Sequence, residues 1–254
     1  MIRIGPAGSF GLGNLEGIGH AKELGLSAFE VEFTYGVRMS NAEAKKIGAL
    51  AKELGIILSV HAPYYINLNS VDKEKIVASK KRILDSCERG ANLGATHIVF
   101  HAGFYGKIDK ETTYQNIKKE VFELLKTIKD KGWSVKLAPE TTGKGSQFGD
   151  IDELLRLTRE TGCSICVDFA HIKARNNGKI DYDEVFTKLK AVKHIHAHFS
   201  GIEFTAKGER KHKLTENSEI KELIDYVKRY KANVTIINES PDPYGDCVKT
   251  LKLI

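Results

Sequence analysis

Four cysteines in 254 residues are too few and too scattered for a disulfide framework. Two of them form a C-x-x-C, Cys163 and Cys166, but inside "GCSICVDFAH". That segment reads as a strand, where positions i and i+3 face opposite ways, so the pair is not expected to chelate a metal or cycle redox. No apolar run approaches the roughly 18 to 20 residues that span a bilayer, and nothing at "MIRIGPAGSFG" resembles a signal peptide. The expectation is a cytoplasmic protein without a membrane partner. Also missing is a dinucleotide fingerprint, because "GPAGSFGLG" lacks the G-x-G-x-x-G spacing. No linker, low-complexity tract or shift of composition divides the chain, so residues 1–254 are expected to form one domain.

What is present alternates. Short β-branched or apolar runs ("IRIG", "AFEVEF", "ILSVHA", "HIVFHA", "SVKLAPE", "SICVDF", "HIHAHF", "VTIINE") are separated by helix-like stretches, clearest at 41–55, 73–94 and 113–132 and weakest at 181–192. Asn41 and Asp150 are read as N-caps. Eight β–α units in about 250 residues predict an α/β fold, a (β/α)8 TIM barrel with its active site at the C-terminal ends of the strands.

Those strand ends share a chemistry. Strand three ends in His61, four in His101, five in Glu140, six in Asp168, seven in His196 and His198, and eight in Glu239. A strand alternates faces, so His194, His196 and His198 point one way and differ only in depth. His194, at the start of the strand, is expected to be structural. Packed carboxylates without a cation would raise one another's pKa values, so the cluster implies metal. Imidazole and carboxylate donors suit zinc, with manganese or iron as other candidates. The ligands exceed one tetrahedral shell, and a pair of metals about 4 Å apart is the usual apparatus for splitting a phosphodiester. His171 follows Asp168 by three residues, and Glu209 and His212 lie on the loop after strand seven. The net charge of +6 leans towards a polyanionic partner, although a Lys/Glu-rich surface is common in soluble proteins.

In order and spacing, "VHAPYYINL", "VFHAG", "ETTGKGSQFG", "VDFAH", "HAHFSG…GERKH" and "NES" resemble the endonuclease IV family of apurinic/apyrimidinic endonucleases, over most of the chain. The resemblance implies two or three zinc ions at the barrel mouth and cleavage of the phosphodiester 5′ to an abasic site in double-stranded DNA. It places His61, His101 and Glu140 on a first metal. Glu140 bridges to a second held by Asp168, His196 and Glu239, and, as the catalytic carboxylate, positions the attacking water. His171 serves a third with Glu209 and His212. It also assigns Tyr64 and Tyr65 to the loop that enters the duplex, with Arg38 a weaker candidate for a phosphate. A monomer is expected.

Two departures stand out. The family's His-x-Asn-Asp and Asp-Arg-His are here His196-Ala-His198-Phe199 and Glu209-Arg210-Lys211-His212. The third carboxylate is thus one methylene longer, and Lys211, available for a phosphate, occupies the expected histidine position. The rival reading is a sugar isomerase or epimerase of the xylose isomerase-like superfamily, resembled through Glu140, Asp168, His196 and Glu239 on a single divalent metal. His61, His101, His171, Glu209 and His212 discriminate, because one metal does not need them. A binding barrel without catalysis would leave the ring of ligands unexplained.

Overall fold

The structure, a computed structural model, describes residues 1–254. Eight parallel strands line the barrel: β1 (Ile2–Pro6), β2 (Ala28–Glu32), β3 (Ile57–His61), β4 (His97–Phe100), β5 (Lys136–Pro139), β6 (Cys166–Asp168), β7 (Ile195–Phe199) and β10 (Val234–Asn238). They pair as β1-β10-β7-β6 and β2-β3-β4-β5. Two single bridges, Ala7 to Glu30 and Glu140 to Cys166, close these half-sheets into a ring. The expected barrel is the observed one.

At the β1–β2 seam the backbones approach so closely that a Cβ on Gly5 would lie 2.0 Å from the Ala28 carbonyl oxygen. Backbone cannot yield as a side chain can, so Gly5→Ala is expected to cost about 3 kcal/mol, at the upper end for overpacking. Urea unfolding of the variant measures it, and a loss below about 1 kcal/mol would show that the seam relaxes.

The helices cover the barrel, and 55 buried residues form the apolar core, mostly between strands and helices. Helix α2 (Asn41–Leu54) shows why boundaries follow local chemistry. The Ser40 hydroxyl, not Asn41, caps it by accepting from the Glu43 N–H at 3.1 Å, and Gly55 ends it in the left-handed region at φ 70°. Asp150 does cap α5 (Ile151–Thr161), with Glu153 completing a capping box. Helices α3 (Lys73–Leu93) and α4 (Lys110–Asp130) match the long periodic stretches, α4 starting three residues early behind its Asp109 cap. The weak segment at 181–192 is α7 (Tyr182–Lys188) plus one 3-10 turn. None of the helices is long and apolar enough to cross a membrane.

Two elements were not expected. Helix α6 (Phe169–Arg175) starts directly from β6 with Asp168 as its cap. The segment after β7 is no open loop but an antiparallel hairpin, β8 (Gly201–Thr205) and β9 (Gly208–Lys213), folded over the mouth. Helix α8 (Asn217–Arg229) and helix α9 (Pro243–Leu251) complete the ring begun by α1 (Asn14–Glu23).

The barrel's interior is unusually polar. Register partners share a face, so Glu30 with Ser59, and Cys166 with His196 and Thr235, all point inward. Only Val99, Ala138 and Cys166 form an apolar cluster there.

Candidate metal centre

Strand ends deliver the site. Glu140, just past β5, is fully buried and meets histidines from four elements. Its Oε2 lies 3.2 Å from His61 Nε2 and 2.9 Å from His101 Nε2, while Oε1 lies 3.1 Å from His198 Nδ1 and 3.4 Å from His171 Nδ1. Burial alone would push Glu140 up, but His101 and His198 pull its carboxyl well below the ordinary range. His61 moves the other way: despite burial, the Glu140 contact and the nearby Glu32 raise it to about 10.

Four groups of donor atoms adjoin, the atoms of each within 4.8 Å of one another. His61, His101 and Glu140 form one; Glu140, Asp168, His198 and Glu239 the next; Asp168, His171 and His212 the third; Cys166, His196 and His198, one layer deeper, the fourth. Glu140, Asp168 and His198 are shared, so the groups make one continuous cluster. Asp168 is buried among them with Oδ2 lacking an aligned hydrogen bond, although His171 Nδ1 is 3.1 Å away. Desolvation raises Asp168 to about 6. A buried carboxylate oxygen left over, among imidazole nitrogens and two further carboxylates, is the donor chemistry a divalent cation satisfies. The residues fit a metal centre.

The hairpin supplies the third group through an irregularity. Residues three apart on a regular strand face opposite ways, but a register shift opposite Glu203 and Phe204 inserts one residue into β9. Glu209 and His212 can therefore both turn to the mouth. Glu209 Oε2 lies 3.5 Å from His171 Nε2, and His212 Nδ1 lies 2.6 Å from the Ser200 hydroxyl with its ring edge-on to His171. Lys211 points away, exposed and 3.3 Å from Glu203. If the third group holds a metal, His212→Ala should lower metal content by one equivalent and Lys211→Ala should leave it intact. Equal content in all three proteins would return the hairpin to a structural role.

One expected ligand lies outside the Glu140 group. His196, expected on the second metal with Asp168 and Glu239, sits one layer deeper, 3.0 Å from Glu30 Oε2 and stacked on His97 at 4.8 Å, in the donor group with Cys166 and His198. His198, two residues nearer the C-terminal end, joins Glu140, Asp168 and Glu239 instead. The His-x-Asn-Asp correspondence therefore shifts by one pleat, and its polar positions hold Ser200 and Gly201. His194 is only half-buried and bonds the Thr235 hydroxyl. Tyr64 and Tyr65 are exposed beside the mouth, Tyr64 with its ring 5.8 Å from that of His61.

Two carboxylates were missed. Glu30 is fully buried beneath the cluster, and Glu32 lines a cavity of about 200 Å³ with Thr34, Tyr64, His212, Glu239 and Ser240. Desolvation pushes Glu32 up to about 8. Their signal was the i, i+2 spacing of "EVE" in a strand whose same-face positions turn into the barrel.

Known proteins share this architecture. An uncharacterized protein of Methanocaldococcus jannaschii is 41 % identical over 245 residues, 91 % of this chain and 88 % of its own length. A protein of Mycobacterium leprae named "Probable endonuclease 4" is 28 % identical over 181 residues, 66 % of this chain and 68 % of its own. Among solved structures, endonuclease IV from Thermus thermophilus superposes with a TM-score of 0.76 at 23 % identity, covering 99 % of this chain and 97 % of that one. D-psicose 3-epimerase reaches 0.70 at 17 % identity, covering 98 % and 89 %. At such identities these two structures establish the barrel alone. A model of the xylose isomerase-like TIM barrel family matches residues 18–252. The chain belongs to the xylose isomerase-like TIM barrel family.

Proposed function

We propose that this protein is a metal-dependent apurinic/apyrimidinic endonuclease that hydrolyses the DNA phosphodiester 5′ to an abasic site. The observation that carries the reading is the size of the donor cluster. Glu140, Asp168, His198 and Glu239 would suffice for one ion, yet His61, His101, His171 and His212 extend the set in two directions. The donors suit zinc, two or three ions, with manganese or iron as alternatives. Bound there, such ions stabilise charge on phosphoryl oxygens and acidify water.

The chain's own groups do the rest. Glu140, held between four imidazoles, is placed to orient the attacking water. Exposed Tyr64 and Tyr65 suit a wedge against unstacked bases, and exposed Lys211 suits a phosphate. The net charge of +6 favours the polyanion. The Mycobacterium leprae relative supports the same activity. A cytoplasmic monomer of one domain completes the proposal.

A ketose isomerase or epimerase with one metal is the second reading. It is favoured by the cavity at Glu32, of about 200 Å³ and lined by the hydroxyls of Thr34, Tyr64 and Ser240. Metal-loaded protein incubated with a duplex carrying one abasic site decides. Incision 5′ to the lesion is expected. Intact duplex together with turnover of a ketose, and at most one metal equivalent, would overturn the endonuclease.

A further inference from the structure

Beneath the cluster, inside the barrel, Glu30 has an environment that packing alone does not explain. It is fully buried, no lysine or arginine pairs with it, and its ion-pair partners are two histidines on one strand. Oε2 bonds His196 Nε2 at 3.0 Å. Oε1 lies 2.9 Å from His198 Nε2, off the line of the ring N–H. His196 is itself stacked on buried His97, with ring planes 11° apart, which braces the arrangement from below. Keeping a carboxylate where barrels usually pack branched apolar side chains costs several kcal/mol unless its contacts are good.

We propose that Glu30 is a positioning residue for the metal centre: it keeps the proton on Nε2 of His198 and so presents Nδ1 to the group formed by Glu140, Asp168 and Glu239. The inference rests on the metal-centre reading but not on any choice of substrate.

The argument is one of tautomers. A neutral imidazole has one N–H and one lone pair, and a carboxylate only accepts. The Glu30 carboxylate 2.9 Å from Nε2 therefore favours a proton on that nitrogen by charge, although the contact is not aligned as a hydrogen bond. Nδ1 faces outward and in the metal-free protein bonds Glu140 at 3.1 Å, with Glu239 at 3.2 Å, so it is the nitrogen whose proton a cation would replace, while Nε2 keeps its own beside Glu30. A cation among those carboxylates needs the Nδ1 lone pair. An acceptor behind a ligating histidine also increases its basicity, and loss of such a partner typically weakens metal binding about 10–100-fold.

Glu30→Gln keeps the volume, removes the charge, and offers an amide N–H that can donate to the Nε2 lone pair of the other tautomer. Its metal affinity, measured by competition with a chromogenic chelator, should fall about 10-fold or more. The absorption spectrum of the cobalt-substituted protein should shift as well, because the field of His198 changes. His196→Gln is the control: it disturbs Glu30's other partner, leaves the His198 contact, and should preserve affinity, spectrum and metal content. Should Glu30→Gln fail to fold, Glu30→Asp, which withdraws the charge by one methylene, is expected to weaken binding in the same assay.

Unchanged affinity and spectrum in the Glu30 variant would overturn the proposal. So would an equal loss in both variants, which would mean interior packing, or a lost metal equivalent in His196→Gln, which would make the interior itself a metal site. No nucleic acid enters these measurements, so failure of the endonuclease reading leaves them interpretable.

Discussion

Glu140→Gln is expected to lower cleavage of an abasic-site duplex by about three orders of magnitude under saturating metal. Glutamine fills the same space, so the barrel should fold. What goes is the negative charge on which His61, His101, His171 and His198 converge. In the metal-free protein that carboxyl is held well below its ordinary range against strong desolvation, by His101 and His198 first. The same imidazole-rich surroundings make it the one carboxylate shared by the His61 and Asp168 groups. An amide offers one weaker oxygen donor and an N–H that repels a cation. Metal assistance is worth several kcal/mol in a displacement at phosphorus, and each 1.36 kcal/mol is a factor of ten. Losing about 4 kcal/mol gives the expected drop. Single-turnover rates and metal analysis of the same preparation separate lost ions from misplaced ones. A variant within about tenfold of the parent would show that Glu140 is not at the reacting centre.

How much of this centre could be read without coordinates depended on whether period alone decides placement. His61, His101, Glu140, Asp168 and Glu239 each end a strand, and a strand end in such a barrel is a place as well as a pattern. The structure brings all five to one mouth. For "HIHAHF" period fixed the face but not the depth, since same-face positions repeat with nothing to mark the rim. Depth follows from register. His198 is level with Asp168 of β6, whereas His196 is level with Cys166, one layer in. His198, rather than His196, therefore meets Asp168 and Glu239.

The hairpin was hidden for a different reason. "GIEFTAKGERKHK" is too polar to read as buried strands, and its pairing covers a polar mouth rather than an apolar core. The bulge that turns both Glu209 and His212 inward is a property of the pair of strands, legible in neither alone. Glu30 and Glu32 could have been found, because two acidic residues at alternate positions of an otherwise apolar strand conflict with a packed core. Such a conflict marks a functional site more often than an error.

The interior layer is also expected to make the protein sensitive to acid. Burial, with His196 and Lys136 nearby, depresses His97 to about 2. The folded protein thus keeps this imidazole neutral, while the unfolded chain protonates it below its ordinary value of 6.5. A depressed histidine contributes its full stability above the unfolded pKa and loses it as pH falls, at about 1.4 kcal/mol per pH unit. From pH 6.5 to 4.5 that amounts to roughly 2 kcal/mol.

Other groups act differently across this window. Glu30 and Glu140, depressed carboxyls, lose their contribution only at pH values below 4.5. His61, raised to about 10, has already contributed in full. Asp168 and Glu32, raised to about 6 and 8, gain stability as the pH falls and mask part of the slope. A difference measurement removes them. His97→Phe keeps a ring against His196 and deletes the titration, while Thr96 retains its bond to the Leu58 carbonyl. Urea unfolding of both metal-free proteins at pH 6.5 and 4.5 should show the parent losing about 2 kcal/mol more than the variant. Parallel losses would mean that the barrel interior admits the proton, and the polar column beneath the metal centre would then be wet rather than closed.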